Sequence, residues 1–163
     1  MLVAQKKSQE AIKVYEEYIG KYPTDVLAAK AHVAIANLWK KEAEGIGPYL
    51  AIKPEDQARW TEYMKNAMKN AESAIEKFPE GDAVSPALQV LLGVQLLRQT
   101  FNLIKPDEVK TYFISLAKNY EGKSTKSKIL FAVAGFVAPK DPDRKSTRLN
   151  SSHERLSRMP SSA

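Results

Sequence analysis

The sequence contains no cysteine, and this absence removes several kinds of chemistry at once. A disulfide framework, a thiolate nucleophile and a cysteine-based zinc site are all excluded. Long apolar runs are missing too, because the longest, from Ile129 to Pro139, is about half of the ~20 residues that a membrane-spanning helix needs. What remains is a chain of 163 residues, 44% hydrophobic and 27% charged, which predicts one globular domain without a membrane span.

Catalytic motifs are also lacking. Of two histidines, His32 has no second histidine or cysteine at ligand spacing, so we interpret it as a packed helical residue. The sequence Gly122-Lys123-Ser124 lacks the earlier glycine of a phosphate-binding loop and is interpreted as a turn between helices. Ser115 and Lys118 have the spacing of one hydrolase motif without its partner motifs. We therefore predict no enzymatic activity, no catalytic or metal-binding residues and no cofactor.

The last part of the chain differs in composition from the rest. Apolar helical patterning stops near Asp143, and serine, arginine and asparagine follow. The two blocks Asp143–His153 and Ser157–Ala163 resemble an in-frame translation of a common sequencing adapter. We therefore expect a helical repeat domain at 1–138, part of a longer array, and a disordered tail at 139–163, of which 143–163 is adapter-derived. Five basic and two acidic residues lie in 143–163, so half of the net charge of +6 belongs to this segment.

Helical periodicity dominates the remainder. Three segments end on an aromatic residue, Tyr22, Phe78 or Tyr120, and the positions 3, 4, 7 and 11 residues before each aromatic are all apolar. These offsets fall on one face of a helix, so each segment predicts an amphipathic helix with one buried stripe. Pro23 and Pro79 mark two of the helix ends, since proline cannot continue a helix. The stripes consist of Ile19, Tyr18, Tyr15 and Ala11, then Ile75, Ala74, Ala71 and Ala67, then Ala117, Leu116, Phe113 and Val109.

A second, more uniformly apolar helix follows each of these three. In one shared register the second helices carry Ala36-Asn37, Leu92-Gly93 and Ala134-Gly135, and the small residues indicate a close approach between helices. Proline followed by two acidic residues, at Pro54 and again at Pro106, indicates two further helix starts. The sequence thus predicts six helices, at about 4–22, 25–44, 55–78, 82–103, 107–120 and 124–138.

Helix pairs with an aromatic-proline stop resemble tetratricopeptide-type repeats. The closest resemblance is to the envelope subgroup found in outer-membrane assembly lipoproteins and cell-division coordinator proteins, and it is carried by Ala11, Tyr15, Tyr18, Ile19, Tyr22 and Pro23. The resemblance implies an all-α, helical-hairpin α-solenoid of about three antiparallel helix pairs in the bacterial envelope or periplasm, although Met1–Lys7 has too short an apolar run for a signal peptide. HEAT-like or other α-solenoid pairs are the alternative.

Stacked helix pairs form concave surfaces that hold a peptide or a partner helix. We therefore expect a protein–protein interaction scaffold, and the alternative is the helical arm of a larger enzyme or regulator. Nucleic acid is not expected as a partner, because the aromatic residues have core spacing and the charges alternate in sign. By resemblance, the second helix of each pair lines the groove, which makes the partner-binding candidates Asn37, Lys41, Gln95 and Arg98.

The last predicted helix is apolar on both faces. Its large residues are Ile129, Phe131, Val133, Phe136 and Val137, and a following repeat would cover the outer ones. Without that cover we expect residues 124–138 to form the least ordered helix and the protein to self-associate through it.

Overall fold

The computed structural model describes residues 2–137, with the side chains of 6–134. Six α-helices and one short 3₁₀ turn make up this part of the chain, and no strand occurs within it. The predicted all-α class and the six helices are confirmed, with helix ends within about three residues of those predicted. The expectations for 139–163 lie outside the described residues. The helices are α1 Leu2–Lys21, α2 Val26–Ile46, α3 Pro54–Lys77, α4 Val84–Thr100, α5 Pro106–Lys118 and α6 Ser124–Val137, and the 3₁₀ turn is Tyr49–Ala51.

Local sequence signals explain where the helices start. The Asp25 carboxylate accepts a hydrogen bond from the backbone N–H of Leu27 at 2.8 Å and so caps α2. Helices α3 and α5 begin at Pro54 and Pro106, as predicted, and acidic residues fill both first turns. In α5 the Glu108 carboxylate also accepts from the backbone N–H of Lys105 at 2.6 Å. A missing amide and a fixed φ suit proline to the first helical position.

Two helix ends depend on unusual backbone conformations. Gly47 terminates α2 with φ of 122°, a region that side chains disfavour. Asn102 follows α4 with φ of 56°, in the left-handed region that asparagine tolerates better than most residues. This turn ends α4 at Thr100, three residues before the predicted end at 103.

Each helix packs mainly against its neighbours in the chain. Consecutive helices contact one another throughout, most extensively α2 with α3, and the second helices also contact each other, α2 with α4 and α4 with α6. At the α2–α4 contact, a Cβ placed on Gly93 would lie 3.0 Å from Cε of Lys40. Gly93 thus leaves room for the Lys40 side chain, and the close approach between helices that its register indicates stays a prediction.

Many of the buried core residues on α2 and α3 are alanines. Helix α2 contributes Ala29, Ala36 and Ala43, which are seven residues apart and so share one face of the helix. Helix α3 contributes Ala67, Ala71 and Ala74 to the same buried cluster. Side chains this small allow two helices to lie close together, which agrees with the extensive contact between α2 and α3.

The buried stripes on α3 and α5 are confirmed, whereas the stripe on α1 is buried only in part, because Ala11, Tyr18 and Ile19 are half-buried and Tyr15 is exposed. All four stripe residues of α3 are fully buried, and three of the four on α5 are buried. The anchor Tyr22 is 43% exposed, whereas Ile12, which is not a stripe residue, is buried. The reason is that α2 is the main packing partner of α1, so a single neighbour covers only a narrow part of its apolar face. Phe78, the anchor of α3, is half-buried.

Side chains at the start of α6 connect this helix to the loop that follows α3. The Ser124 hydroxyl donates to the Glu80 carboxylate, and the buried Thr125 hydroxyl donates to the backbone carbonyl of Pro79. The turn at Gly122, with φ of 74°, brings the chain into this position. The prediction of a turn between helices at Gly122-Lys123-Ser124 is therefore confirmed.

Candidate functional site

An open groove of about 610 Å³ runs along α3, between that helix, the end of α4 and the 3₁₀ turn. We call it the α3 groove. Its volume lies within the range of protein ligand sites, roughly 300–1,000 Å³. It is lined by Tyr49, Trp60, Thr61, Met64, Lys65, Met68, Lys69, Glu72, Arg98 and Leu103.

The floor of the α3 groove is apolar and partly rigid. Trp60 is only 2% exposed, and its ring centroid lies 5.1 Å from that of Tyr49 and 5.8 Å from that of Phe101, both in edge-to-face geometry. Edge-to-face aromatic pairs add stability beyond the area they bury. Met64 and Met68 continue the floor one and two turns further along α3, and Met68 is half-buried.

The rim of the groove is mainly basic. Lys65 and Lys69 are exposed on successive turns of α3, and Arg98 faces them from α4. The Arg98 guanidinium donates to Oε1 of Gln95 at 3.0 Å, which fixes its direction, and its Nη1 lies 4.0 Å from Sδ of Met68. The groove therefore combines an apolar floor with a fixed guanidinium and two lysines.

A second groove of about 690 Å³ continues along α3 and shares Glu72 with the first. Here the Tyr112 hydroxyl of α5 donates to Oε1 of Glu72 at 2.5 Å. Burial, and then this carboxylate, raise the pKa of Tyr112 above its ordinary value. Burial also raises the pKa of Tyr120, with Glu76 adding to the effect. The character of the α3 surface thus changes from basic at Lys65 and Lys69 to acidic at Glu72 and Glu76.

The four partner-binding candidates lie in different surroundings. Asn37 and Lys41 are exposed on α2, and the Asn37 amide donates to the carbonyl of Val33. Gln95 is 2% exposed and accepts from Arg98, so it offers little surface to a partner. Arg98 alone among them lines the α3 groove. Whether they bind a partner stays a prediction.

The groove residues that the sequence did not single out lie on a first helix of a pair rather than a second. Trp60, Met64 and Met68 recur every four residues, and Lys65 and Lys69 repeat the same spacing one position later. The core spacing of the aromatic residues predicts that Trp60 is buried, and its exposure of 2% agrees with that. The sequence does contain a methionine pair beside a lysine pair at helical spacing. This pattern does not show which face of the helix remains uncovered by the other helices.

His32 connects α2 to α3 in the interior. Its Nδ1 lies 3.3 Å from Oδ1 of Asn70, and its Nε2 lies 3.4 Å from Nζ of Lys77. An imidazole that donates from Nδ1 and accepts at Nε2 is neutral. Burial, and to a smaller extent the Lys77 charge, lower the pKa of His32 below its ordinary value, while the Asn70 contact opposes the shift. Within residues 2–137 no group of acidic or histidine side chains is arranged to hold a metal ion.

We expect the stability of the protein to fall as the pH drops below about 7, since the unfolded histidine has a pKa of about 6.5 and binds a proton before the folded His32 does. The stabilisation is complete above the unfolded pKa and is lost as the pH falls toward the lower, folded pKa. Carboxylates titrate mostly nearer pH 4, which separates the two effects. Urea unfolding at a series of pH values measures how the free energy of unfolding depends on pH. This dependence should be weaker in the His32→Gln variant. An equal pH dependence of stability in both proteins would contradict the interpretation that His32 is neutral in the folded protein.

Comparison with family models, with curated proteins and with solved structures finds no match to this chain. Of the helices in the described range, none combines the length and the apolar character that crossing a bilayer requires.

Proposed function

We propose that the protein is an interaction scaffold of the helical-repeat type and that it binds a segment of a partner protein in the α3 groove. The repeat interpretation assigns three pairs, α1 with α2, α3 with α4 and α5 with α6. It is supported by the packing order, in which neighbouring helices contact each other and the second helices form a continuous row. Repeat proteins of the solenoid class pack in this nearest-neighbour manner.

The observation that carries the binding proposal is the apolar surface that stays exposed in the α3 groove beside its buried floor. Met68 and Tyr49 are half-buried and Leu103 is exposed, so apolar surface is available between charged rims. Methionine adapts its shape to different partners, because its side chain is unbranched and flexible. Apolar surface surrounded by polar residues is typical of protein interaction sites.

The test blocks the groove without changing the core. Thr61 is exposed, lies on the groove wall and makes only a hydrogen bond to the carbonyl of Gln57 one turn earlier. In a display library of random peptides, we expect the wild-type protein to enrich a family of peptides. The affinity of these peptides for Thr61→Arg should be weaker by about tenfold or more, which corresponds to about 1.4 kcal/mol.

Thr111→Arg is the matched control, because Thr111 is exposed on α5 and does not line the α3 groove. Its affinity for the same peptides should stay within about twofold of the wild-type value. Circular dichroism confirms that both variants keep their helix content. The proposal fails if no peptide family is enriched, or if Thr61→Arg binds the selected peptides as tightly as the wild-type protein does.

A further inference from the structure

The charges around the α3 groove are arranged asymmetrically. The ion pairs found among the described residues are Lys40–Glu44, Arg59–Asp56 and Lys126–Glu121, and none of them includes a groove residue. The groove's only carboxylate, on Glu72, accepts a hydrogen bond from Tyr112. Three cations on the rim therefore have no carboxylate within ion-pair distance in the described part of the chain, and they are available to an anionic partner.

The length of the groove also restricts its occupant. Thr61, Lys65, Lys69 and Glu72 follow one another at steps of three or four residues, which places them on one side of α3. From Thr61 to Glu72 is about 16 Å at 1.5 Å per residue, or about three helical turns. An amphipathic helix of similar length presents apolar residues at the same period, and such helices bind in apolar grooves on other helices.

We propose, on the basis of the proposed function, that the occupant is an acidic amphipathic helix of a partner protein. Its apolar face lies on Tyr49, Met68 and Leu103, and its carboxylates contact Lys65, Lys69 and Arg98. Glu72 repels carboxylates at the far end of the α3 groove, and Glu76 lies one turn further along α3 in the second groove, so the acidic residues of the partner concentrate at the Lys65 end. Charge complementarity thus selects the partner and orients it.

The test uses three fluorescein-labelled peptides of 14 residues with the same leucines at positions 4, 7, 8 and 11. The remaining positions alternate alanine with glutamate in the first peptide, with glutamine in the second and with lysine in the third. Fluorescence anisotropy at low salt gives the affinities. We expect the glutamate peptide to bind about tenfold or more tightly than the lysine peptide, and this ratio should shrink as salt screens the charges.

Reversing the charge of the rim lysines tests whether they bind the acidic residues of the peptide. In the double variant Lys65→Glu/Lys69→Glu the preference should reverse, so that the lysine peptide binds more tightly than the glutamate peptide. The matched control is Lys110→Glu/Lys118→Glu, which changes the net charge equally at two exposed lysines of α5 outside the α3 groove. Its preference should remain that of the wild-type protein.

The possible outcomes separate this inference from the proposed function. If the three peptides bind equally and Thr61→Arg abolishes binding, the groove is an interaction site but the acidic preference is wrong. If the glutamate peptide does not bind, the inference is wrong, and the library selection decides the proposed function separately. Tighter binding of an oligothymidine 12-mer than of the glutamate peptide, or a dimer that only Thr61→Arg dissociates, would also overturn the inference by identifying a different occupant.

Discussion

Replacing Trp60 by alanine should lower the free energy of unfolding by about 3–5 kcal/mol, because removal of a buried indole leaves a cavity that the surrounding helices fill only partly. Trp60 lies where α3, the 3₁₀ turn and the end of α4 meet, in edge-to-face contact with Tyr49 and Phe101. The substitution therefore removes two aromatic pairs together with the buried area. Urea unfolding followed by circular dichroism measures the change.

Trp39→Ala is the control for this experiment. Trp39 is half-buried, and its ring centroid lies 5.0 Å from that of Tyr63. We expect a smaller loss, of about 1–2 kcal/mol, because part of the side chain is already in water. If both variants lose the same stability, the aromatic cluster around Trp60 is not the centre of packing that its burial indicates.

Replacing Phe113 by alanine should also lower the free energy of unfolding by about 3–5 kcal/mol. Its side chain is fully buried on α5, and its ring centroid lies 5.0 Å from that of Tyr112 in edge-to-face geometry. Without the Phe113 ring, α5 should pack less tightly against the rest of the core. Hydrogen exchange of the α5 amides gives a second, local measurement of the same effect.

The matched control is Phe131→Ala on α6, because the same side chain is removed from a position that is 84% exposed. The stability should change by less than about 0.5 kcal/mol, as for most surface substitutions. A large loss at Phe131 would show instead that the outer side of α6 is covered in solution. It would agree with self-association through the last helix, which stays a prediction and which light scattering of the two proteins would test.

The helix ends were predictable because their causes are local. Pro54 and Pro106 predict two helix starts, and the structure adds the capping Asp25 and the positive-φ Gly47, all of which act on one or two turns of chain. Such signals are present in the sequence itself and do not depend on what packs nearby. For the same reason the α4 end was the least accurate, since Asn102 gives a weaker turn signal than glycine or proline does.

Burial was less predictable, because it depends on neighbours that periodicity does not identify. The stripe on α3 is covered by α2 and α4, but the equivalent stripe on α1 leaves Tyr15 and Tyr22 exposed. The groove was likewise assigned to the second helices by resemblance, whereas the apolar surface that stays open lies along the first helix α3. An apolar residue in a sequence indicates a preference for burial, and only the assembled fold determines which residues achieve it.

The buried alanines of α2 and α3 limit which substitutions this protein can accept during evolution. Alanine has no side-chain rotamers to lose, so the interface forms without side-chain entropy cost, but it also leaves no flexible side chain to absorb an added methyl group. A larger residue at Ala36 or Ala71 would push the two helices apart and move α3 relative to α4. The width of the α3 groove is thus adjustable at buried alanines that are not part of its lining.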